Sequence, residues 1–356
     1  MNVLDLFCGC GGISSGFHQN GFNIVGGIDF DKDSVDTFSS NFPKSKALCV
    51  DLSNFSEKNI IKEFGSLNVD IIVGGPPCQG FSNANRWQKE MEDPRNMLFN
   101  EFLKFVKVLN PKAILIENVR GILTKNSGYS RLKIIEIIEE LGYIVNSDIL
   151  NAADYGVPQN RYRAFFIGIK KNSKNVVFDF DNVKKRKKVT VKEAIGELYS
   201  FEKSQKELYQ ITKEPHGEYQ KYLRARNNNL QNHQIVYPAI STQEKIKHVP
   251  QGGNWRDIPL ELFPNQRGNR HSSAFKRLDE KNQSVTIDTG NAHSNYFHPK
   301  FDRIPTVREA ARIQSFSDNF IFLGSRTSQY RQIGNAVPPL LANAISKEIK
   351  KCLGRL

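Results

Sequence analysis

The first 170 residues of this 356-residue chain alternate short apolar runs with amphipathic segments. Five of the runs have the length and composition of buried strands, at residues 2–6, 22–28, 69–73, 113–116 and 164–169. The segments between them have helical spacing, as in residues 98–109. This alternation predicts an α/β fold with a doubly wound, mostly parallel sheet and helices on both faces. Such sheets bind ligands at the carboxyl ends of their strands, so the loops after the first four strands should meet at one crevice.

Local patterns predict where some helices begin and end. Ser130 is a candidate cap for a helix over residues 131–141, and Gly142 follows as a stop signal. Residues 306–309 have the Thr-x-x-Glu pattern of a capping box, which predicts a helix over residues 307–315.

The composition changes from about residue 171. Residues 171–300 are rich in Asn, Gln, Lys and Arg and have weak periodicity, apart from a second capping-box pattern at residues 190–193. Residues 170–300 contain 24 Lys and Arg against 14 Asp and Glu, a net charge of +10 out of +13 for the chain. A localised basic excess favours a polyanionic partner, although the cluster KKRKK at residues 184–188 alone is more typical of a solvated loop. We therefore expect a separate, irregular and basic domain.

The composition also excludes some classes of protein. Hydrophobic residues make up 39% of the chain, its mean hydropathy is -0.48, and no apolar run approaches the length of a membrane span. The first residues enter a strand at once, without the basic and apolar regions of a secretory signal. The five cysteines have no spacing typical of a metal site, so we expect no metal and a reducing cytosol.

One cysteine has an unusual setting. Residues 74–82 read GGPPCQGFS directly after a predicted strand, which places Cys78 in a tight loop at the carboxyl end of the sheet. Two prolines fix the backbone direction before the thiol, and flanking glycines let another molecule approach the chain closely. This setting favours a nucleophile, whereas a lone cysteine is more often a buried structural residue.

Three ligand-type groups follow successive strands. Residues 7–12 read FCGCGG after the first strand, where glycines let backbone approach a ligand at a helix N-terminus. Asp29 ends the second strand, and Asp51 follows the short apolar run at residues 47–50. The glycine spacing is not the G-x-G-x-x-G of dinucleotide binders, and each acid alone is more often a helix cap. Together these groups suit a nucleoside with a small zwitterionic tail and no phosphates, a description that S-adenosylmethionine fits.

With these residues the chain resembles the cytosine carbon-5 DNA methyltransferases, and it follows their motif order over nearly its full length. The matching segments are residues 5–12, 74–82, 93–99 (DPRNMLF), 117–119 (ENV), 159–163 (QNRYR), 303–314 (RIPTVREAARIQ) and 332–339 (QIGNAVPP). The variable target-recognition segment of that family would lie where the basic excess lies. The resemblance implies a Rossmann-like catalytic and cofactor-binding domain of residues 1–172 plus 302–356, and a target-recognition domain of residues 173–301.

The resemblance also implies roles for five catalytic candidates. The Cys78 thiolate would add to carbon 6 of a flipped cytosine, and Glu117 would bind or protonate ring nitrogen 3. Asn118 would steer that carboxyl group. Arg163 would contact the cytosine carbonyl, and Arg161 would orient Glu117 or the loop, although a salt bridge or a phosphate contact is the plainer interpretation of each arginine. Carbon 5 would then attack the methyl group of S-adenosylmethionine.

The implied cofactor-binding residues lie near strand ends and in the last motif. They are Phe7, Gly9, Cys10, Gly11, Gly12, Asp29, Phe30, Asp51, Leu52, Pro77, Leu98, Asn335 and Ala336. Asp29 and Asp51 would accept hydrogen bonds from ribose hydroxyls and from the adenine amino group rather than cap helices. Asp29 departs from the Glu that is more frequent in the family, but it can still reach a ribose hydroxyl.

The implied partner is double-stranded DNA, from which the target cytosine must be flipped out. The residues expected at the DNA are Gln79 and Ser82 in the cysteine loop, Arg256, Arg267 and Arg270 as readers of guanine, and Thr286 beside the backbone at the flipped base. We expect a monomer in the bacterial cytosol, associated with the nucleoid. Any cognate restriction endonuclease would act as a separate protein.

Three alternatives have different signatures. A tRNA cytosine-5 methyltransferase of the same superfamily would use the same chemistry, but such enzymes tend to have Pro-Phe-Thr-like residues where this chain has GFS at residues 80–82. A catalytically silent DNA-binding regulator should have lost Cys78, Glu117 or the glycine turn. A nicotinamide-dependent dehydrogenase is disfavoured by the glycine spacing. The sequence therefore predicts a sequence-specific DNA (cytosine-5)-methyltransferase.

Overall fold

The computed structural model describes residues 1–77, 97–124, 128–172, 174–202, 209–224, 229–263, 275–287 and 296–355. The chain divides into two compact units. The first consists of Met1–Tyr155, Arg161–Arg186 and Ala336–Leu356, and the second of Gly156–Asn160 and Lys187–Asn335. Residues 302–335 therefore belong to the second compact unit, although the sequence assigns them to the catalytic domain. The functional division of the chain stays a prediction.

A seven-stranded sheet with the order β3-β2-β1-β4-β5-β7-β6 forms the centre of the first unit. Its strands are β1 (Asn2–Leu6), β2 (Asn23–Asp29), β3 (Lys46–Cys49), β4 (Val69–Gly74), β5 (Ala113–Val119), β6 (Tyr143–Asn151) and β7 (Tyr162–Lys170). Every pairing is parallel except those of β7, which runs antiparallel to both β5 and β6. The predicted mostly parallel, doubly wound sheet is confirmed.

The long apolar runs predict five of these strands, and the short run at residues 47–50 marks the edge strand β3, whereas β6 at the other edge is not predicted. Edge strands bury less of their surface than central ones. None of the four residues of β3 is fully buried, and β6 passes through the polar residues Asn146, Ser147 and Asp148. Hydrophobic runs therefore identify the central strands more clearly than the edge strands.

Seven helices accompany the sheet within the described part of the first unit. They are α1 (Gly12–His18), α2 (Lys32–Asn41), α3 (Glu57–Phe64), α4 (Met97–Leu109), α5 (Gly121–Thr124), α6 (Tyr129–Glu140) and a C-terminal helix (Pro339–Gly354). The prediction of Ser130 as a helix cap is wrong, because α6 begins after Gly128 and already includes Ser130 as a buried residue of its first turn. Gly142, with φ 87°, follows α6 as predicted.

The first and last helices of the chain pack against each other. A Cβ atom on Gly16 of α1 would lie only 2.5 Å from the Cβ of Ala342 in the C-terminal helix, so a larger residue has no room there. The core beneath is apolar, with Leu4, Ile72 and Ile114 all 0% exposed in the three central strands. The packing of these two helices brings the N-terminal and C-terminal segments of the chain together.

The second unit consists mainly of short helices and loops. Its elements are α7 (Val191–Ile195), β8 (Tyr209–Gln210), α8 (Gly217–Arg224), β9 (Asn229–Leu230), α9 (Ile240–Lys247), β10 (Lys276–Arg277), β11 (Tyr296–Phe297), α10 (Val307–Ile313) and α11 (Arg326–Asn335). Both predicted capping boxes are confirmed, at the starts of α7 and α10. α10 ends two residues earlier than predicted, and Ser315 there adopts a left-handed conformation with φ 68°.

Buried ion pairs hold α10 in the second unit. Arg312 pairs with Asp318 at 2.6 Å and with Glu197 at 2.5 Å, and Arg303 pairs with Glu309 at 2.8 Å. All five side chains are less than one-tenth exposed. Arg312 and Arg303 each have two acidic partners, since Arg303 also pairs with Glu202, so loss of one acid would leave the buried arginine only partly compensated, at a cost of up to about 3–5 kcal/mol.

Candidate active site

The turn between β1 and α1 has a backbone that favours glycine. Phe7 and Gly11 have φ values of 57° and 96°. A Cβ atom on Gly12 would lie 2.4 Å from the carbonyl oxygen of Val337 and 3.1 Å from the Cβ of Ala336. The structure therefore brings the glycine turn and Ala336, both predicted at the cofactor, into contact from opposite ends of the chain.

Asp29, at the end of β2, is bound to this turn. Its Oδ2 accepts a hydrogen bond of 2.8 Å from the backbone N–H of Gly9, and its Oδ1 accepts one of 3.0 Å from the N–H of Asp31. Burial raises the pKa of the Asp29 carboxyl group above its usual value, and the backbone donors oppose that rise. Asp29 thus fixes the position of the glycine turn, whatever ligand it also contacts.

Asp51 has two local partners. Its Oδ1 accepts hydrogen bonds from the backbone N–H of Ser53 at 2.9 Å and from the Ser53 hydroxyl at 2.8 Å, which caps a single turn at Leu52–Asn54. These bonds lower the pKa of the exposed Asp51 carboxyl group, so it is ionised at neutral pH. The sequence predicts a ligand rather than a cap. Asp51 is in fact a cap, and its contact with a cofactor stays a prediction.

A cavity of about 450 Å³ opens at the carboxyl ends of β1, β2 and β4. Its lining consists of Phe7, Asp29, Phe30, Val50, Asp51, Leu52, Ser53, Pro77, Met97 and Leu98. Seven of these ten residues are among the predicted cofactor-binding residues. Val50, Ser53 and Met97 are not predicted from the sequence, although each is adjacent in the chain to a predicted residue. Phe30 is 76% exposed and presents an open aromatic ring at the rim.

The other predicted cofactor-binding residues are not among the residues that line this cavity. Gly9, Cys10, Gly11 and Gly12 form the turn and the first residue of α1, while Asn335 ends α11 and Ala336 begins the C-terminal segment. Cys10 is 1% exposed, so its side chain is part of the core. Gly9 is nonetheless joined to the lining, because its backbone N–H donates to Asp29.

Glu117 lies near the end of β5 and forms an ion pair with Arg163 of the neighbouring strand. The Arg163 Nε and the Glu117 Oε1 are 3.0 Å apart, and both side chains are less than one-fifth exposed. In the antiparallel register, Glu117 is opposite Phe165 and Val119 is opposite Arg163, so Glu117 and Arg163 are diagonal neighbours on one face. Arg161, just before β7, is 1% exposed and adds a second positive charge near Glu117.

Glu117 and Asn118 both contact the loop that leads to Cys78. A Cβ atom on Gly75 would lie 3.0 Å from the Glu117 Oε2, so the carboxyl group lies directly against this glycine. The Asn118 Nδ2 donates a hydrogen bond of 2.9 Å to the carbonyl oxygen of Pro76. Three of the predicted residues, Cys78, Gln79 and Ser82, lie outside the described residues.

Two opposing effects act on the Glu117 carboxyl group. Burial raises its pKa because the charged form loses its hydration, while Arg163 and Arg161 favour the charged form. The net direction is upward. A raised pKa makes this carboxyl group better suited than an exposed Glu to hold a proton and to donate it to a base in a closed site.

The residues predicted to contact DNA are only partly described. Arg256 is exposed, with its guanidinium 5.3 Å from the ring centre of Trp255. Thr286 is partly exposed and donates a hydrogen bond of 2.9 Å from its hydroxyl to the carbonyl oxygen of Asn160. Arg267 and Arg270 lie outside the described residues.

The basic excess of the second half is not all available to a polyanion. Arg224 is 5% exposed and pairs with Glu197, while Arg277 is 9% exposed and pairs with Asp302 at 2.9 Å. The five residues 184–188, in contrast, are all exposed. The exposed basic residues of this part of the chain include that cluster and Arg256.

Comparison with known proteins gives consistent results. The model of the C-5 cytosine-specific DNA methylase family matches residues 1–351. The chain is 38% identical to the Type II methyltransferase M1.HphI of Haemophilus parahaemolyticus, over 99% of this chain and 87% of that protein. It is 37% identical to the Type II methyltransferase M.DdeI of Desulfomicrobium norvegicum, over 98% and 88% of the two chains.

Solved structures share the fold. A crystal structure of a prophage-encoded protein from E. coli, described as a DNA modification methyltransferase, superposes with a TM-score of 0.82 at 29% identity, over 99% of both chains. The S. pombe Dnmt2 methyltransferase superposes with a TM-score of 0.62 at 20% identity over 99% of each chain, which supports the fold alone.

The described residues contain neither a membrane-spanning helix nor a cluster of metal-ligating side chains. None of the helices there is both long and apolar enough to cross a membrane. No group of three or more His, Cys, Asp or Glu side chains in those ranges has the arrangement of a metal site.

Proposed function

Since the chain belongs to the C-5 cytosine-specific DNA methylase family, we propose that it methylates cytosine within a specific sequence of double-stranded DNA, with Cys78 as the nucleophile. The observation that carries this proposal is the position of Glu117. Its carboxyl group is paired with Arg163 and lies against Gly75, three residues before Cys78. An acid with a raised pKa therefore lies beside the loop that carries the thiol.

The cavity at the carboxyl ends of the parallel strands suits S-adenosylmethionine. Its volume of about 450 Å³ is within the range of about 300–1,000 Å³ that is usual for small-molecule sites. Asp29 and Asp51 offer carboxylate oxygens for hydroxyl and amino groups, and the exposed ring of Phe30 offers a surface on which a purine can stack. When bound, this cofactor supplies an electrophilic methyl group.

The first step uses Cys78 and Glu117 together. The thiolate forms a bond to carbon 6 of the cytosine, and Glu117 donates its proton to ring nitrogen 3, so that the electron pair released into the ring is not left as a full negative charge. Arg163 contacts the cytosine carbonyl and holds the Glu117 carboxyl group in place. Asn118 keeps the start of the loop fixed through its hydrogen bond to Pro76.

The second step restores the thiolate. Carbon 5, now the nucleophilic carbon of an enamine, would take the methyl group that the bound cofactor supplies, with S-adenosylhomocysteine as the leaving group. It would then lose its proton to a base, which passes the proton to solvent. The bond between carbon 6 and the Cys78 sulfur breaks, and Glu117 recovers the proton from ring nitrogen 3. The enzyme therefore ends the cycle in the state in which it began.

The other described thiols are poor alternatives to Cys78. Burial raises the pKa of Cys8, Cys10 and Cys352 above the usual value for a thiol, so these residues stay protonated at neutral pH. Cys49 is exposed on β3, an edge strand away from Glu117 in the strand order. These observations support the assignment of the nucleophile to the loop after β4.

We further propose that the basic second half of the chain binds the DNA. Exposed residues 184–188 would contact phosphates, and Arg256, Arg267 and Arg270 would read bases. The Type II methyltransferase names of the relatives support a restriction-modification setting with a separate endonuclease. The GFS at residues 80–82 favours DNA over tRNA as the substrate.

Trapping with 5-fluorocytosine tests the nucleophile and the substrate together. A target duplex that contains 5-fluorocytosine should form a covalent adduct with the protein when S-adenosylmethionine is present, because the fluorine cannot be eliminated from carbon 5. The parent chain should shift on a denaturing gel, and Cys78→Ser should not. Cys49→Ser is the matched control and should trap as fully as the parent.

The same assay can refute the proposal. Full trapping by Cys78→Ser would assign the reaction to another residue. Trapping of a tRNA but of no DNA duplex would replace the substrate. The target duplex is first identified by bisulfite sequencing of a host that expresses the parent chain.

A further inference from the structure

Gln159 is a buried residue outside the cofactor cavity whose amide is bonded at both ends. It is 0% exposed. Its Oε1 accepts a hydrogen bond of 2.8 Å from the backbone N–H of Ile287, and its Nε2 donates a short hydrogen bond to the Oε1 of Gln314. Gln314 is also 0% exposed, and its Nε2 donates a hydrogen bond of 3.0 Å to the carbonyl oxygen of Ile333. All four residues belong to the second unit.

The direction of these hydrogen bonds is fixed by the backbone groups at the two ends. The Ile287 N–H can only donate, so Gln159 must present its oxygen there, and its nitrogen must then face Gln314. The Ile333 carbonyl can only accept, so Gln314 must present its nitrogen to it. Rotation of either amide by half a turn would place two donors or two acceptors face to face in a buried site.

This amide relay, formed by Gln159 and Gln314, secures a short stretch of paired backbone. The N–H of Asn160 donates to the carbonyl oxygen of Ser284, and the N–H of Ser284 donates to that of Pro158, both at 2.9 Å. Gln159 and Ser284 form a parallel bridge. Residues 158–160 and 284–287 are therefore held in a single register, with the relay as the side-chain anchor.

Thr286 lies within this register. It is partly exposed, whereas Ser284 and Ile287 on either side of it are each 1% exposed. Its hydroxyl donates a hydrogen bond of 2.9 Å to the carbonyl oxygen of Asn160. A slip of the backbone by one residue would turn the Thr286 side chain to the other face. The position of this hydroxyl thus depends on buried groups that are themselves out of reach of a ligand.

We infer that Gln159 and Gln314 are positioning residues, which hold Thr286 in register for contact with the DNA. The inference rests on the proposed function, because it assumes that the DNA backbone at the target base lies against Thr286. The relay should therefore affect the turnover of DNA but not the binding of the cofactor. The cofactor cavity is lined entirely by residues of the first unit.

Steady-state kinetics on a duplex with the site found by bisulfite sequencing tests this inference. Gln159→Leu keeps the approximate volume and removes both hydrogen bonds, and it should lower kcat/KM for the duplex about tenfold. The KM for S-adenosylmethionine should stay unchanged. Gln159→Glu keeps the acceptor for Ile287 but places an acceptor oxygen against the Gln314 Oε1 in the buried site, so its loss should be at least as large as that of Gln159→Leu.

A matched control separates positioning from folding. Gln220 is 5% exposed in the same unit, and its amide also accepts from a backbone N–H, that of His216, and donates to a backbone carbonyl, that of Glu193. Gln220→Leu should lower the melting temperature as Gln159→Leu does, without the loss in kcat/KM for the duplex. Equal losses of kcat/KM in the two variants would reduce the relay to a structural role and overturn the inference.

A double mutant gives the second readout. If Gln159 acts through Thr286, the tenfold effect of Gln159→Leu should fall to less than about twofold when Thr286→Ala is already present. If Gln159→Leu still lowers kcat/KM about tenfold when Thr286→Ala is present, the inference is overturned. If Gln159→Leu does not fold, Gln159→Met, which also removes both hydrogen bonds, takes its place in the same cycle. A parent chain that transfers no methyl group to any duplex would instead refute the proposed function, which the comparison between variants does not test.

Discussion

Replacing Asp5 by Asn should make the stability of the first unit less sensitive to pH. Asp5 is 1% exposed in the central strand β1, and its Oδ2 accepts a hydrogen bond of 2.6 Å from the Ser14 hydroxyl on α1. Its Oδ1 is buried and has no hydrogen-bond partner among the residues that the structure describes. Burial raises the pKa of Asp5 to about 7, against the hydrogen bonds of Ser14, and the nearby Asp29 adds to the rise.

The sign of the effect follows from the protons that each state binds. Between the ordinary pKa of 3.8 and the folded pKa of about 7, the folded protein keeps the Asp5 proton and the unfolded chain releases it. The stability that Asp5 contributes is therefore complete below pH 3.8 and is lost as the pH rises through 7. A difference of about 3 in pKa corresponds to about 4 kcal/mol.

Urea unfolding of the parent and of Asp5→Asn at pH values from 4 to 8 measures this effect. Asn keeps an oxygen for the Ser14 hydroxyl and does not titrate. The free energy of unfolding of the variant minus that of the parent should rise by about 4 kcal/mol over this range, since all other titrating groups are common to both chains. A difference that stays constant within about 1 kcal/mol would mean that Asp5 is ionised throughout in the folded protein, and would refute the reasoning.

Three other changes distinguish the roles proposed at the site. Glu117→Gln should lower the single-turnover rate of methyl transfer by about 10²-fold and leave cofactor affinity unchanged in calorimetry, because it removes only the proton donor; equal rates would exclude Glu117 from the mechanism. Asp51→Ala should weaken binding of S-adenosylmethionine by about 1–3 kcal/mol in the same calorimeter, and unchanged affinity would leave Asp51 as a helix cap only. Lys187→Ala should weaken binding to target and scrambled duplexes alike and lower the salt slope in filter binding by about one. An unchanged slope would return residues 184–188 to a solvated surface.

The sequence predicts the buried strands of the sheet most clearly and misses the edge strand β6. The apolar runs identify β1, β2, β4, β5 and β7 because these strands are buried among neighbours. β6 has too few buried positions to stand out, and its omission hides the direction of β7. With no strand predicted between β5 and β7, the sequence between them is interpreted as a helical crossover that joins two parallel strands. In the structure, β7 is antiparallel to both of its neighbours.

The same omission limits what the sequence says of the site. Motif order identifies Glu117, Arg161 and Arg163 as residues of one site, but the ion pair between Glu117 and Arg163 depends on the antiparallel register of β5 with β7. In a similar way, Asp51 is recognisable as an acid after a strand, yet its bonds to Ser53 depend on the turn that follows. Residue types are encoded locally, whereas their partners are set by tertiary pairing.

The balance of forces on Glu117 explains why the acid, the arginines and the loop glycine belong together. Two positive charges alone would keep the carboxyl group ionised and unable to donate a proton. Burial against Gly75, where a side chain would need space that the Glu117 Oε2 occupies, outweighs them and raises the pKa. Entry of a flipped cytosine would remove more water from the same carboxyl group and would act in the same direction. Arg163 would still hold the Oε1 in place, so the proton would be available on a fixed group at the moment when ring nitrogen 3 becomes basic.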